Sequence, residues 1–426
     1  MLIVLLLCIC LTYIGVFLLG EGARHRRFLT TLVGVQWLVM LTLLVFTNDF
    51  WPYTGVADDN GYHVLAASFG SLAQALDPYT YVGLLEQPGY PILLAPAALL
   101  SGGDLLTLKL VNLTALVLIT CVWSRIGFEL EGERFARLVG FFVAGLTPLW
   151  YYAFFLLKDL PIALLQSVTV LSAIWVMKGQ SRKGLGLGGV VTLLILPLRS
   201  YLAVMNLAVL AAGALLSGFA AGRVKKRARG GMPMVLIAGA TLVCLIGLAY
   251  VATDPGTASA LGLRVETRTI SRESIEMVGQ KLGQESLMQR ALFPILFLIS
   301  ETAGLNALFS GYMIDPEIFR GLLALPWIFF YLPFLMIGIW VLSSKIGPRK
   351  LAGSPWAIVI VFCVGYLGVS WIVGDTTRWR IPDLPALATI AALGFSSIRG
   401  ATRALITFGW PALVLTSAAA YYWVLT

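Results

Sequence analysis

Leu29 to Tyr62 reads LTTLVGVQWLVMLTLLVFTNDFWPYTGVADDNGY. The first half, 29–47, is an uncharged apolar run. The second half ends in the adjacent carboxylates Asp58 and Asp59. A hydrocarbon layer of about 30 Å needs roughly 20 such residues as a helix, because each helical residue rises about 1.5 Å. The stretch therefore reads as a membrane span followed by an acidic segment at its exit. The whole chain repeats the first half of this pattern. Its 426 residues are 59% hydrophobic and 12% charged, and its mean hydropathy is +0.88. So few charges cannot wet the surface of a soluble domain, so the solvent for most of the chain is a bilayer. Apolar runs of spanning length recur, where a β-barrel would show short alternating segments. The expected fold class is an all-α polytopic membrane protein.

The net charge of +9 could suggest a nucleic-acid partner, but its distribution argues against one. The basic clusters are Arg24 to Arg27, Lys178 with Arg182 and Lys183, Arg223 to Arg229, Lys345 to Lys350, and Arg399 with Arg403. Each falls in a short loop between apolar runs, which is the positive-inside pattern, and suits contact with anionic membrane lipids. With those loops in the cytoplasm, spans are expected near 2–20, 29–47, 104–124, 134–154, 160–177, 185–199, 201–221, 233–251, 319–343, 353–373, 383–398 and 404–424. That is about twelve helices with both termini outside. Met1 to Leu19 lacks a basic n-region and a small-residue cleavage site, and is expected to be a retained helix. The five cysteines all lie in apolar runs without metal-site spacing. No glycine-rich phosphate cradle and no repeated half-sequence is evident.

Two long outer loops are expected, about 48–103 and 252–318. In the first, Tyr62 to Leu76 reads as an amphipathic helix. The segment 88–101 is apolar but too short to span, so it should lie at the interface. The stretch 291–309 reads as interfacial, re-entrant or a hairpin. Polar groups gathered on that side are the candidates for chemistry: Asp58, Asp59, His63, Glu86, Lys158, Asp159, Arg199, Asp375, Arg378, Arg380 and Asp383. A carboxylate beside several guanidinium groups can accept a proton from an attacking hydroxyl while the arginines hold a phosphate through charge-assisted bonds. The same arginines would stabilise charge on a departing lipid phosphate. Plainer readings stand beside this one. Asp58-Asp59 suits the N-terminus of a helix starting near Gly61, and Asp159 that of the next span before Pro161. Lys158 suits an interfacial anchor, Arg199 suits a snorkelling side chain, and His63 an interfacial polar residue.

Three segments bring in a family resemblance. Asp58-Asp59-Asn60-Gly61-Tyr62 resembles the D-[DE]-x-x-Y pattern that follows the first core helix of GT-C glycosyltransferases. Those enzymes include protein O-mannosyltransferases and lipid A aminoarabinose transferases. Gln87-Pro88-Gly89-Tyr90-Pro91 is similar to their HPPLYP-type segment, with Gln87 in place of the family histidine. Arg378-Trp379-Arg380-Ile381-Pro382-Asp383-Leu384-Pro385 is similar to their R-[FY]-R-[LI]-P-x-x-P ending. The order and spacing agree from residue 29 to about 400.

The resemblance implies a GT-C-like helix bundle. It would comprise an extra helix and basic loop over 1–28, a catalytic module over 29–403 and a last helix over 404–426. It implies an inverting transferase, dependent on a polyprenyl-phosphate sugar, with its active site facing the periplasm from a bacterial inner membrane. The acceptor would be a hydroxyl of an envelope glycan, lipid or protein, and no nucleic acid is involved. Asp58 would be the catalytic base. Asp59, with Tyr62, would assist the acceptor or a divalent metal. Arg378, Arg380, Arg199 and Lys158 would hold the donor phosphate. His63, Gln87, Tyr90, Asp159, Arg264 and Arg268 would contact sugar or loops. Two other readings fit the chain: an O-antigen ligase or polymerase, in which Arg264 and Arg268 would matter more than Asp58, and a flippase or transporter of lipid-linked sugar.

Overall fold

The computed structural model describes residues 1–50, 52, 53, 57–77, 80, 88–199, 201–220, 322–373 and 381–416. Among them there is no strand, and the helices follow the apolar runs. They are α1 (Leu2–Leu19), α2 (Gly22–Phe50), α3 (Ala57–Ala67), α4 (Leu72–Leu76), α5 (Gly89–Ser101), α6 (Leu105–Glu131), α7 (Glu133–Ala144), α8 (Thr147–Ala153), α9 (Asp159–Met177), α10 (Ser181–Ile195) and α11 (Tyr201–Ala220). Beyond residue 321 come α12 (Leu322–Ser344), α13 (Gly347–Ala352), α14 (Trp356–Val373) and α15 (Leu384–Ser397). A further helical stretch covers 400–416. Of the described helices α1, α2, α6, α9 and α12 are long and apolar enough to cross a membrane. The expected span at 233–251 and the second outer loop lie outside the described residues.

Two helices form the centre. Most of the apolar window of α6 and of α9 is buried by protein, and α6 packs on α1, α7 and α9 while α9 also packs on α10 and α11. The outer helices show why the bilayer is their solvent. On α2, His25, Leu29, Val33, Gln36, Met40, Leu44 and Thr47 recur at helical spacing on the buried face. The opposite face exposes Leu38, Val39, Val45 and Phe46. A helix that is apolar on both faces belongs in lipid, where the outward face needs no polar cover. Helix association there depends on close packing and polar bonds. Accordingly Gly338 of α12 and Gly394 of α15 abut the backbone of the facing helix, where a side chain would clash.

Several boundaries differ from the sequence expectation. The span expected at 29–47 is part of α2, so Arg24 to Arg27 lie in its first turns and not in a loop, and Arg182 and Lys183 likewise lie in α10. The single helix expected over 62–76 is two, α3 from Ala57 and α4 from Leu72. The span at 104–124 continues as α6 to Glu131, so only Gly132 separates it from α7. The chain then turns at Gly132, whose φ of +84° suits glycine alone. Buried pairing explains the extension: Arg125 and Glu129, one turn apart, form a 2.5 Å ion pair inside the protein. The expected span 134–154 is instead broken into α7 and α8. Pro148 has no N–H to offer the Ala144 carbonyl, which receives Trp150 Nε1 at 3.0 Å instead. Tyr331 Oη donates to the neighbouring Phe142 carbonyl at 2.6 Å. Side chains thus satisfy the backbone at a break that lipid could not satisfy.

Candidate functional site at one end of the bundle

The two ends of the bundle differ in chemistry. At one end Glu21 pairs with Arg125, and Glu129 meets Lys178 at 2.5 Å. These contacts join the α1–α2 link to the C-terminal ends of α6 and α9. Lys183 lies 3.7 Å from the centroid of the Trp175 ring. The basic clusters at Arg24–Arg27 and Lys178–Lys183 share this end.

The opposite end collects the C-terminal end of α2, the helix α3, and the N-terminal ends of α5, α6 and α9. Asp59 of α3 is fully buried. Its carboxylate bears electrostatically on Lys109 of α6, on Tyr53 and on Tyr90. Burial first, and the Asp59 charge second, hold the Tyr53 phenol above the ordinary tyrosine range. Tyr62 packs edge-on against Tyr90, with ring centroids 4.9 Å apart. His63 Nε2 lies 2.9 Å from the Gly103 carbonyl, so it must donate there, which leaves Nδ1 to accept from Tyr53 Oη at 2.7 Å. His63 therefore ties α3 to the link between α5 and α6.

The centre of this end is Asn112, which is fully buried. Its Oδ1 accepts from Tyr90 Oη at 3.0 Å. Its Nδ2 donates to the carbonyls of Phe155 at 2.6 Å and Leu157 at 2.9 Å, with Tyr152 at 3.3 Å. The Phe155 and Leu157 carbonyls belong to the non-helical segment between α8 and α9, which leads through half-buried Lys158 to buried Asp159 at the start of α9. Asp159 Oδ1 accepts from Arg199 Nη2 at 3.0 Å, and both side chains are buried. Gly89 donates its N–H to the Pro197 carbonyl at 3.0 Å, which docks α5 onto the turn carrying Arg199.

The structure therefore brings Asp59, Tyr62, His63, Tyr90, Asp159 and Arg199 to one end, with Lys158 at the head of α9. Asp58 lies in the first turn of α3, and its side chain is outside the described residues. Gln87, Arg264, Arg268, Arg378 and Arg380 also lie outside them. The end of the third motif is described: Ile381, Pro382 and Asp383 are buried at the head of α15. Arg199 is an ion-pair partner in the interior and not a snorkelling side chain.

Sequence reasoning passed over two residues here. Lys109 is fully buried and donates to Asn48 Oδ1 at 2.9 Å, with Nζ 5.5 Å from the Phe155 ring centroid. Its signal was a lone lysine inside the run LLTLKLVNLTALVL, where an ionisable group is functional by default. Asn112 sits in the same run within Asn112-Leu113-Thr114, whose glycosylation pattern disguises a buried polar hub. Among the described residues no group of three His, Cys, Asp or Glu side chains could hold a metal ion. No protein-family model matches the chain, and neither a curated protein nor a solved structure matches it.

Proposed function

We propose that the chain is a GT-C-type inverting glycosyltransferase of a bacterial inner membrane, with its site at the outer face. It moves a sugar from a polyprenyl-phosphate carrier to a hydroxyl of an envelope glycan, lipid or protein. One observation carries this reading: buried Asp59 of α3, Lys109 of α6, Asp159 of α9 and Arg199 of the α10–α11 turn gather at the end opposite the basic clusters Arg24–Arg27 and Lys178–Lys183. Lipid-linked sugars are the activated donors suited to a face without nucleotides.

In this reading Asp58 takes the proton of the acceptor hydroxyl as its oxygen bonds to the anomeric carbon. The bond from that carbon to the phosphate oxygen breaks, and the electron pair leaves with the polyprenyl phosphate. Arg378 and Arg380 meet the developing charge. Asp159 holds Arg199 in a fixed orientation at the same end. A single displacement inverts the anomeric configuration.

The test is transfer by purified protein in liposomes containing a polyprenyl-phosphate sugar and an acceptor. Asp58→Asn should lower transfer about 10²–10⁴-fold, as loss of a general base does, and leave donor binding in place. Full turnover by that variant rejects the assignment. A second reading, a flippase for lipid-linked sugar, is favoured by the buried Lys109 and by the break between α8 and α9. Movement of the labelled lipid between leaflets without an acceptor would select it. Loss of activity in Arg264→Ala and Arg268→Ala, with Asp58→Asn active, would select the ligase reading.

A further inference from the structure

Helices α9 and α11 run in the same direction and pack along their length. Two contacts fix their register. Near the start, Asp159 pairs with Arg199 at 3.0 Å. Near the far end, Gly213 approaches Ala173 so closely that a Cβ would lie 2.6 Å from the Ala173 carbonyl oxygen. Between them, α9 places Gln166 two helical turns from both Asp159 and Ala173, and α11 places Asn206 two turns before Gly213. Residues two turns apart share a helix face, so the shared register sets these two amides at one level of the interface.

Both side chains are fully buried. Neither amide has a hydrogen-bond partner among the described residues, on its nitrogen or its oxygen, and the two do not bond each other. The other polar side chains of this part of α9 are satisfied: Ser167, Thr169 and Ser172 each donate to the carbonyl four residues earlier. Small residues precede the amides on their own faces, Ala163 before Gln166 and Ala203 before Asn206, and both are buried. Apolar cavities stay dry, but a space offering two to four polar partners holds water.

We infer that Gln166 and Asn206 form an internal water-binding site at mid-membrane between α9 and α11, bridged by bound water. The site lies in register with the Asp159–Arg199 pair and is blind. The next level inward is the backbone contact of Gly213 with Ala173, which leaves no width for a solvent path. The site stands apart from the transfer reaction, and its failure would leave that reading untouched.

Two measurements on the full-length protein in nanodiscs test it. The first is a thermal cycle with Gln166→Leu, Asn206→Leu and the double variant. Each single change should lower Tm, because it displaces the water and orphans the remaining amide, whereas the double variant should return to the wild-type Tm or above. Single changes that each raise Tm, and add in the double variant, overturn the site. The second is a cryo-EM structure of the same sample at a resolution that shows ordered water. Water density within hydrogen-bond distance of both the Gln166 and Asn206 amides is expected. A direct bond between the two amides, or no density between them, overturns the site.

Discussion

Arg199 Nη2 lies 3.0 Å from Asp159 Oδ1, and both side chains are buried at the same end of the bundle as Asp59. Neither charge could remain there alone, because its desolvation would go uncompensated. Asp159→Asn should therefore destabilise the protein by about 3–5 kcal/mol, the usual result of breaking a buried pair from one side. The double variant Asp159→Leu/Arg199→Met should recover most of that loss. Thermal unfolding in detergent reads both, and an unchanged Tm in Asp159→Asn would show that the pair contributes nothing.

Asn112 holds the chain between α8 and α9 by donating to the Phe155 and Leu157 carbonyls while it accepts from Tyr90. Asn112→Ala should lower stability by about 1–3 kcal/mol for each group left without a partner. Asn112→Asp should be worse, because a carboxylate would face the carbonyls it can no longer donate to. The same burial predicts that Asn112 carries no glycan when the protein is made in a eukaryotic secretory pathway. Treatment with a glycosidase should leave its mass unchanged.

Gly89 is fixed by space and not by backbone conformation. A Cβ there would lie 2.6 Å from the Pro197 carbonyl carbon, and the obstacle is backbone. Gly89→Ala should cost about 1–3 kcal/mol, as overpacking does, and should loosen α5 from the turn that carries Arg199. Limited proteolysis should then cut between α4 and α5 faster than in the wild type. Equal rates would mean that α5 is held elsewhere.

Lys109 and Asp59 are buried, and the charge of Asp59 bears on the ammonium of Lys109. Lys109→Met should destabilise the protein by removing the ammonium whose charge faces buried Asp59, and adding Asp59→Asn should restore a large part of the loss. A coupling of about 0.5–3 kcal/mol is expected for groups in one network. Simple additivity in the thermal cycle would show that the two do not act as a pair.

The membrane class, the helical fold and most helix positions could be read from composition and run length. A bilayer demands long apolar helices with satisfied backbones, and that demand is written locally in the chain. The acidic stretch at 58–59, and the basic clusters Arg24–Arg27 and Lys178–Lys183 that share the other end, were legible for the same reason. The break at Gly145 to Pro148 was less so, because Pro148 alone does not show that Trp150 and Tyr331 stand ready to take the freed carbonyls. What the tertiary structure decided was pairing. Arg199 could have reached for headgroups, yet a neighbouring helix brings Asp159 to it. Lys109 and Asn112 looked like intruders in an apolar run until α2, α5 and the α8–α9 segment closed around them. Sequence specifies where each charge enters the bilayer, but burial removes the competing water. Only the packed bundle determines which partner replaces it.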